Sequence, residues 1–127
     1  MRLFSQTRGS AVLEFVFVVT PFLLTTSTIT GIFLSTNALN VLRDSSIEGA
    51  RFAALADQST IDGCQRTRDL ITKALNVSTS LEVKCDSFES SNSQYERVSA
   101  RLSLQIIGLL AMTPTLYAES SAPRENQ

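Results

Sequence analysis

Hydrophobic positions follow three regimes along this 127-residue chain. From Ala11 to Leu34 they are nearly continuous, VLEFVFVVTPFLL followed by TTSTITGIFL, and no Asp, Glu, Lys or Arg occurs from Phe15 to Leu42. About 20 helical residues cross a hydrocarbon core of about 30 Å, so this regime predicts one transmembrane helix with some tilt. In the second regime Leu39, Leu42, Ile47, Ala50, Ala53 and Ala54 fall close to one helix face, with Arg43, Asp44, Arg51 and Asp57 elsewhere. Together they predict one continuous helix from about Ala11 to Gln58. Gly49 inside it costs about 1 kcal/mol relative to alanine, which points either to a close neighbour or to a tolerated glycine. Pro21 cannot donate to the helix ladder and predicts a kink.

A second helix is predicted over CQRTRDLITKALN, capped by Asp62 and ended by Asn76, with Leu70, Ile71, Ala74 and Leu75 on one face. The third regime is alternation. Leu81, Val83 and Cys85 alternate with Glu82, Lys84 and Asp86, and Val98, Ala100, Leu102, Leu104 and Ile106 alternate with Ser99, Arg101, Ser103 and Gln105. Each is the period of a half-buried strand. The polar ESSNSQYER between them reads as a hairpin loop. Two strands alone are marginal, so their apolar face must pack on a helix or on another subunit. Ile106 to Tyr117 is apolar but broken by Gly108 and Pro114, too short for a second span, and the residues from Glu119 read as a loose polar tail. The fold class is therefore α+β, a long membrane helix continuing into a small exported domain with a two-stranded antiparallel sheet.

Composition narrows the chemistry. Eleven basic and twelve acidic residues, without a long basic run, leave no electrostatic footprint for nucleic acid. The absence of histidine removes the usual general base, the commonest metal ligand and every Ser-His or Cys-His nucleophile arrangement. No GxSxG, P-loop or GxGxxG motif occurs, so neither a cofactor nor a catalytic residue is expected. Two cysteines without histidine cannot complete a zinc site. Cys64 and Cys85 would instead staple the second helix to the first strand as a disulfide, the alternative being two unrelated buried thiols.

The membrane segment has polar features of its own. Thr25, Thr26, Ser27, Thr28 and Thr30 place hydroxyls where lipid favours leucine, while Ser27, Gly31 and Ser35 put small residues along one face. That face lets another helix approach closely, or the hydroxyls simply bond to the preceding turn's carbonyls. Arg2 and Arg8 precede the span, and Arg43 and Arg51 follow it, so the basic count does not orient it. A short basic tail kept inside, with the cysteine-bearing domain exported, is the simpler topology. A secretory signal would have a shorter apolar core of about 7 to 15 residues and an A-x-A-like end, and neither is present.

Gly9 followed by SAVLEF, then an apolar stretch with a proline, resembles the class III signal of type IV pilins and pseudopilins. IEGARFAALAD at residues 47 to 57 is similar to the TadE-like pseudopilins of the tight adherence pilus, and the resemblance covers roughly the first 60 residues. It implies a leader over residues 1–9, cut between Gly9 and Ser10 by a prepilin peptidase, a transmembrane helix over 10–36, an exported pilin-like domain over 37–118 and a flexible tail over 119–127. Glu14 becomes the fifth residue of the mature chain, placed to meet the new amine of Ser10 within one chain or of a neighbouring subunit. Major Flp-type pilins are much shorter and usually carry Glu-Tyr where this chain has Glu14-Phe15, so the resemblance is to a minor pseudopilin, TadE-like or TadF-like. The partners it implies are other pilin-like subunits, the inner-membrane assembly machinery and the lipid bilayer. The implied place is the bacterial inner membrane with the N-terminus cytoplasmic and the domain periplasmic, and the implied role is pilus assembly. The rival expectation is an uncleaved signal-anchor protein whose small exported domain binds an envelope partner.

Overall fold

A computed structural model describes residues 7–76, 80–104 and 113–125. Helix α1 spans Thr7–Ala53, α2 spans Thr60–Leu75, and three strands follow, β1 Leu81–Ser90, β2 Ser93–Ser103 and β3 Thr115–Pro123. The chain is α+β, as expected, but the sheet has three strands and not two.

Helix α1 runs unbroken through Pro21. Its two halves do different work. Ala38, Leu42, Ser45, Ser46, Gly49, Ala50 and Ala53 form a buried stripe at helical spacing in the second half. Ile47, expected on that face, is 39% exposed, and the small residues Ser45, Ser46 and Gly49 are buried in its stead. The reason lies on α2. A Cβ on Gly49 would overlap Thr67 Oγ1 and come within 2.9 Å of the Gly63 carbonyl oxygen, and one on Gly63 would meet the Gly49 carbonyl oxygen at 2.7 Å. The two helices thus touch backbone to backbone, and the glycine at 49 marks a close neighbour. Thr67 closes the crossing, donating to Gly63 O at 2.9 Å and Ser45 O at 3.3 Å.

Ser59, rather than Asp62, is the N-cap of α2: its hydroxyl accepts from Asp62 N, while the Asp62 carboxylate accepts from the Ser59 backbone N–H at 3.0 Å. Asp62 completes a capping box from the third helical position. Asn76 ends the helix in the left-handed region, as its sequence position predicts.

The sheet order is β1-β2-β3, all antiparallel. The stretch read as a loop is almost wholly strand, because Ser90 pairs with Ser93 and the turn is only Ser91-Asn92, both at positive φ. That is the backbone of a two-residue type I′ hairpin, adopted here without the usual glycine. The residues read as a loose tail from Glu119 instead continue β3, which begins at Thr115, as far as Pro123; its inward Leu116, Ala118, Ser120 and Ala122 keep a period-2 pattern too weakly apolar to stand out in the sequence. Val98, Ala100 and Leu102 of central β2 are fully buried and meet Leu42, Ala50, Ile71, Val83 and Ala118 in one core. Leu104 packs against its margin, and Ile106, expected further along the same strand, lies outside the described residues. Helix α1 covers β3 and β2, and α2 covers β1.

Candidate functional site

The first half of α1 stands clear of this core. Val12, Leu13, Phe15, Phe17, Phe22, Ile29, Ile32 and Phe33 are all exposed, so a long apolar helix face lies open to its surroundings. The helix is long and apolar enough to cross a bilayer, and none of its most apolar window is covered by the rest of the chain. A solvated surface of this kind is unfavourable at about 25 cal/mol per Å², which makes a lipid or protein environment its stable setting.

Its polar side chains are already satisfied. Thr20, Thr25, Thr26, Ser27, Thr28, Thr30, Ser35 and Thr36 each donate to the carbonyl four residues back, at 2.7 to 2.9 Å. No hydroxyl of this set needs water or a second helix, which suits a segment in hydrocarbon. Ser27 and Ser35 therefore turn their oxygens into the helix and, with Gly31, leave a narrow face of small groups. Back-bonding and close approach by another helix are compatible here.

Gly9 and Ser10 lie at the start of α1 and are exposed, with open space where a side chain at Gly9 would be. Glu14 is exposed one helical turn beyond Ser10, on the same side of the helix. Among the described residues no ion pair reaches it. Gly9, Ser10, Glu14 and the small-residue face thus occupy the projecting half of one helix, away from the domain.

Within the domain, Cys64 and Cys85 form a disulfide with Cα atoms 5.8 Å apart, joining α2 to β1. Among the described residues no cluster of metal-ligating side chains occurs.

No family model, curated protein or solved structure matches the chain.

One constellation escaped the sequence reading. The Glu96 side chain is fully buried, accepting from Thr60 Oγ1 at 2.7 Å and from Arg124 Nη1 at 3.1 Å. It ties the central strand to the start of α2 and to the residue just after β3. Arg124 N also donates to Gln94 O, and Glu125 N to Ala54 O, so the end of the sheet is fastened to α1 as well. The available signal was phase, since Glu96 lies on the same face of β2 as Val98, Ala100 and Leu102. A carboxylate within a polar stretch hid it. These contacts hold the fold, and the carboxylate they surround is closed to solvent.

Proposed function

We propose that this chain is a minor, TadE-like pseudopilin: cut after Gly9 by a prepilin peptidase, held in the bacterial inner membrane with its α+β domain periplasmic, and active in assembly of a tight adherence pilus as a partner rather than a catalyst. The observation that carries the reading is the division of α1. Its first half, with Gly9, Ser10 and Glu14, is exposed and apolar, while its second half is the core of the domain. A cut between Gly9 and Ser10 falls in this projecting half, far along the helix from the buried stripe that starts at Ala38, and the helix beyond the cut could pack sideways with other pilin-like subunits. The amine freed on Ser10 has a reference pKa of about 7.7 to 8.0 and can neutralise Glu14, its own or a neighbour's.

Coexpression with an active prepilin peptidase should shorten the chain by its leader and leave Ser10 first. Glu14→Gln should insert normally but lose crosslinks to pilin-like subunits and fail to support pili. An uncut chain beside a processed control pilin, or wild-type piliation by stable Glu14→Gln protein, would reject the proposal. The self-satisfied hydroxyls of the span also fit a second reading, an uncleaved signal anchor, which the uncut outcome would favour.

A further inference from the structure

Among the described residues both edges of the sheet are open, β1 on one side and β3 on the other. Each pairs antiparallel with β2, so β1 and β3 run parallel to one another. Copies anchored in one bilayer by α1 share an orientation. A symmetric joint between like edges would turn one copy about an axis perpendicular to the sheet, and would reverse the α1 packed on its face. A joint of β3 to the β1 edge of a second copy keeps every α1 parallel. We propose that the domain self-associates head to tail, with β3 of one copy adding as a parallel strand to β1 of the next; the choice of joint rests on α1 being the membrane anchor and not on the pilus reading.

Charge selects one register. On the outer face Arg101 lies between Glu82 and Tyr117, Ser99 between Lys84 and Glu119, and Arg97 between Asp86 and Ser121. Carrying these rows into a second copy sets Glu119 beside Lys84 of the next copy, the Tyr117 hydroxyl beside Glu82 and the Ser121 hydroxyl beside Asp86. The Lys84 side chain is 73% exposed and that of Glu119 41% exposed. Within one chain Glu119 already lies 3.3 Å from Arg97 and Lys84 2.9 Å from Glu82, so the joint extends a charge network across the boundary. Sliding by two residues either way puts Glu119 opposite Glu82 or Asp86, a like-charge pair. Sliding by one sets outer side chains against inner ones.

The backbone meets the same register. Arg124 N donates to Gln94 O and Leu104 N to Pro114 O, which places the even-numbered peptide groups of β3 toward β2 and those of Tyr117, Glu119 and Ser121 toward the open edge. In the hairpin closed by Ser90 and Ser93, the even-numbered residues of β1 face β2, leaving Val83 and Cys85 to direct their peptide groups outward. A parallel ladder with Glu119 opposite Lys84 bonds Glu119 to both of these.

The helical layer offers matching apolar flanks. Helix α1 covers β3, and a groove along that edge is lined by Ile47, Leu55 and Ala122, with Arg51 and Glu125 also on its walls. Ile47 is 39% exposed and Leu55 38% exposed. Helix α2 covers β1 and exposes Ile61, 76% accessible, one turn before the disulfide-held Cys64. The joint brings these two flanks together.

The test places cysteines at the meeting row. In one chain, residues 86 and 121 are separated by β2, about 10 Å at the usual strand spacing and too far for a disulfide. Full-length Asp86→Cys/Ser121→Cys protein in liposomes, oxidised with copper phenanthroline, should give a ladder of dimers, trimers and higher species on a non-reducing gel. The single variants alone should not crosslink, and their mixture should stop at dimers. Adding Glu119→Lys or Lys84→Glu to the double-cysteine chain should cut the ladder at least fivefold, and adding both should restore it. A monomer band alone, homotypic dimers from either single variant, or a ladder indifferent to the charge changes would overturn the proposal. Carbonate extraction reads the anchor separately: monomers that stay with the lipid sink the joint alone, and release from the lipid sinks the anchor and with it the reason for a parallel joint.

Discussion

At the scale of single residues, a buried carboxylate and a helix crossing built on two glycines are the points of greatest sensitivity. Glu96 is fully buried and Arg124 is about one-third exposed, so removing the arginine leaves a carboxylate whose partner among the described residues is Thr60 alone. Breaking a fully buried pair costs about 3 to 5 kcal/mol, and the exposure of Arg124 puts Arg124→Ala nearer 2 to 3 kcal/mol. Glu96→Gln keeps the volume and an acceptor and should cost less than Arg124→Ala. Urea unfolding of the full chain in detergent, followed by circular dichroism, ranks the two. At the crossing, Gly49→Ala would gain about 1 kcal/mol of helix propensity yet overpack the contact with Thr67 and Gly63, at about 1 to 3 kcal/mol. A net loss of stability is expected, and Thr67→Ala in the same chain should recover part of it by removing the overlapped side chain.

At the scale of elements, the start of α2 carries an acid-sensitive cap. Hydrogen bonds from the Ser59 hydroxyl and backbone N–H hold the Asp62 carboxyl below its ordinary value. A carboxyl lowered on folding contributes stability that is fully present above its unfolded pKa, about 3.9, and is lost as pH falls through the folded value. The difference in melting temperature between the wild type and Asp62→Asn should therefore be largest near neutrality and shrink below about pH 4. Glu82 is lowered in the same sense by its hydrogen bond and ion pair with Lys84, so the acid limb of the wild type sums both, and only the Asp62 part vanishes in the variant. A gap that persists unchanged at low pH would mean that the cap acts through packing and not through charge.

At the scale of the whole molecule, one covalent link joins the helical layer to the sheet. Cys64 and Cys85 are 21 residues apart, and closing such a loop contributes about 3 kcal/mol in the chain-entropy model. Cys64→Ala/Cys85→Ala should be destabilised by about that amount, with the contacts between α1 and the sheet left in place. In native membranes both thiols should resist alkylation until reduced. Free alkylation would place the domain in a reducing compartment and argue against export. The apolar first half of α1 should not notice either change, since its hydroxyls bond within the helix and its large apolar residues are exposed.

Local chemistry determined much of this protein: the long helix, the second helix and its Asn76 stop, the alternation at residues 81–85 and 98–104, and the cysteine pair were legible because periodicity and residue type state them without reference to distant contacts. Tertiary structure decided the rest. Strand β3 runs from the end of an apolar stretch into a polar one, with only small inward residues after Leu116, and it exists because β2 supplies a ladder and α1 a cover. Glu96 reads as a loop residue until Thr60 and Arg124, 36 and 28 residues away, supply its hydrogen bonds. Gly49 was ambiguous because its meaning lies on α2, in Gly63 and Thr67. The reason is common to all three: a sequence displays the preference of a residue for its own backbone and for water, whereas small residues and buried charges are fixed by the atoms that come to surround them.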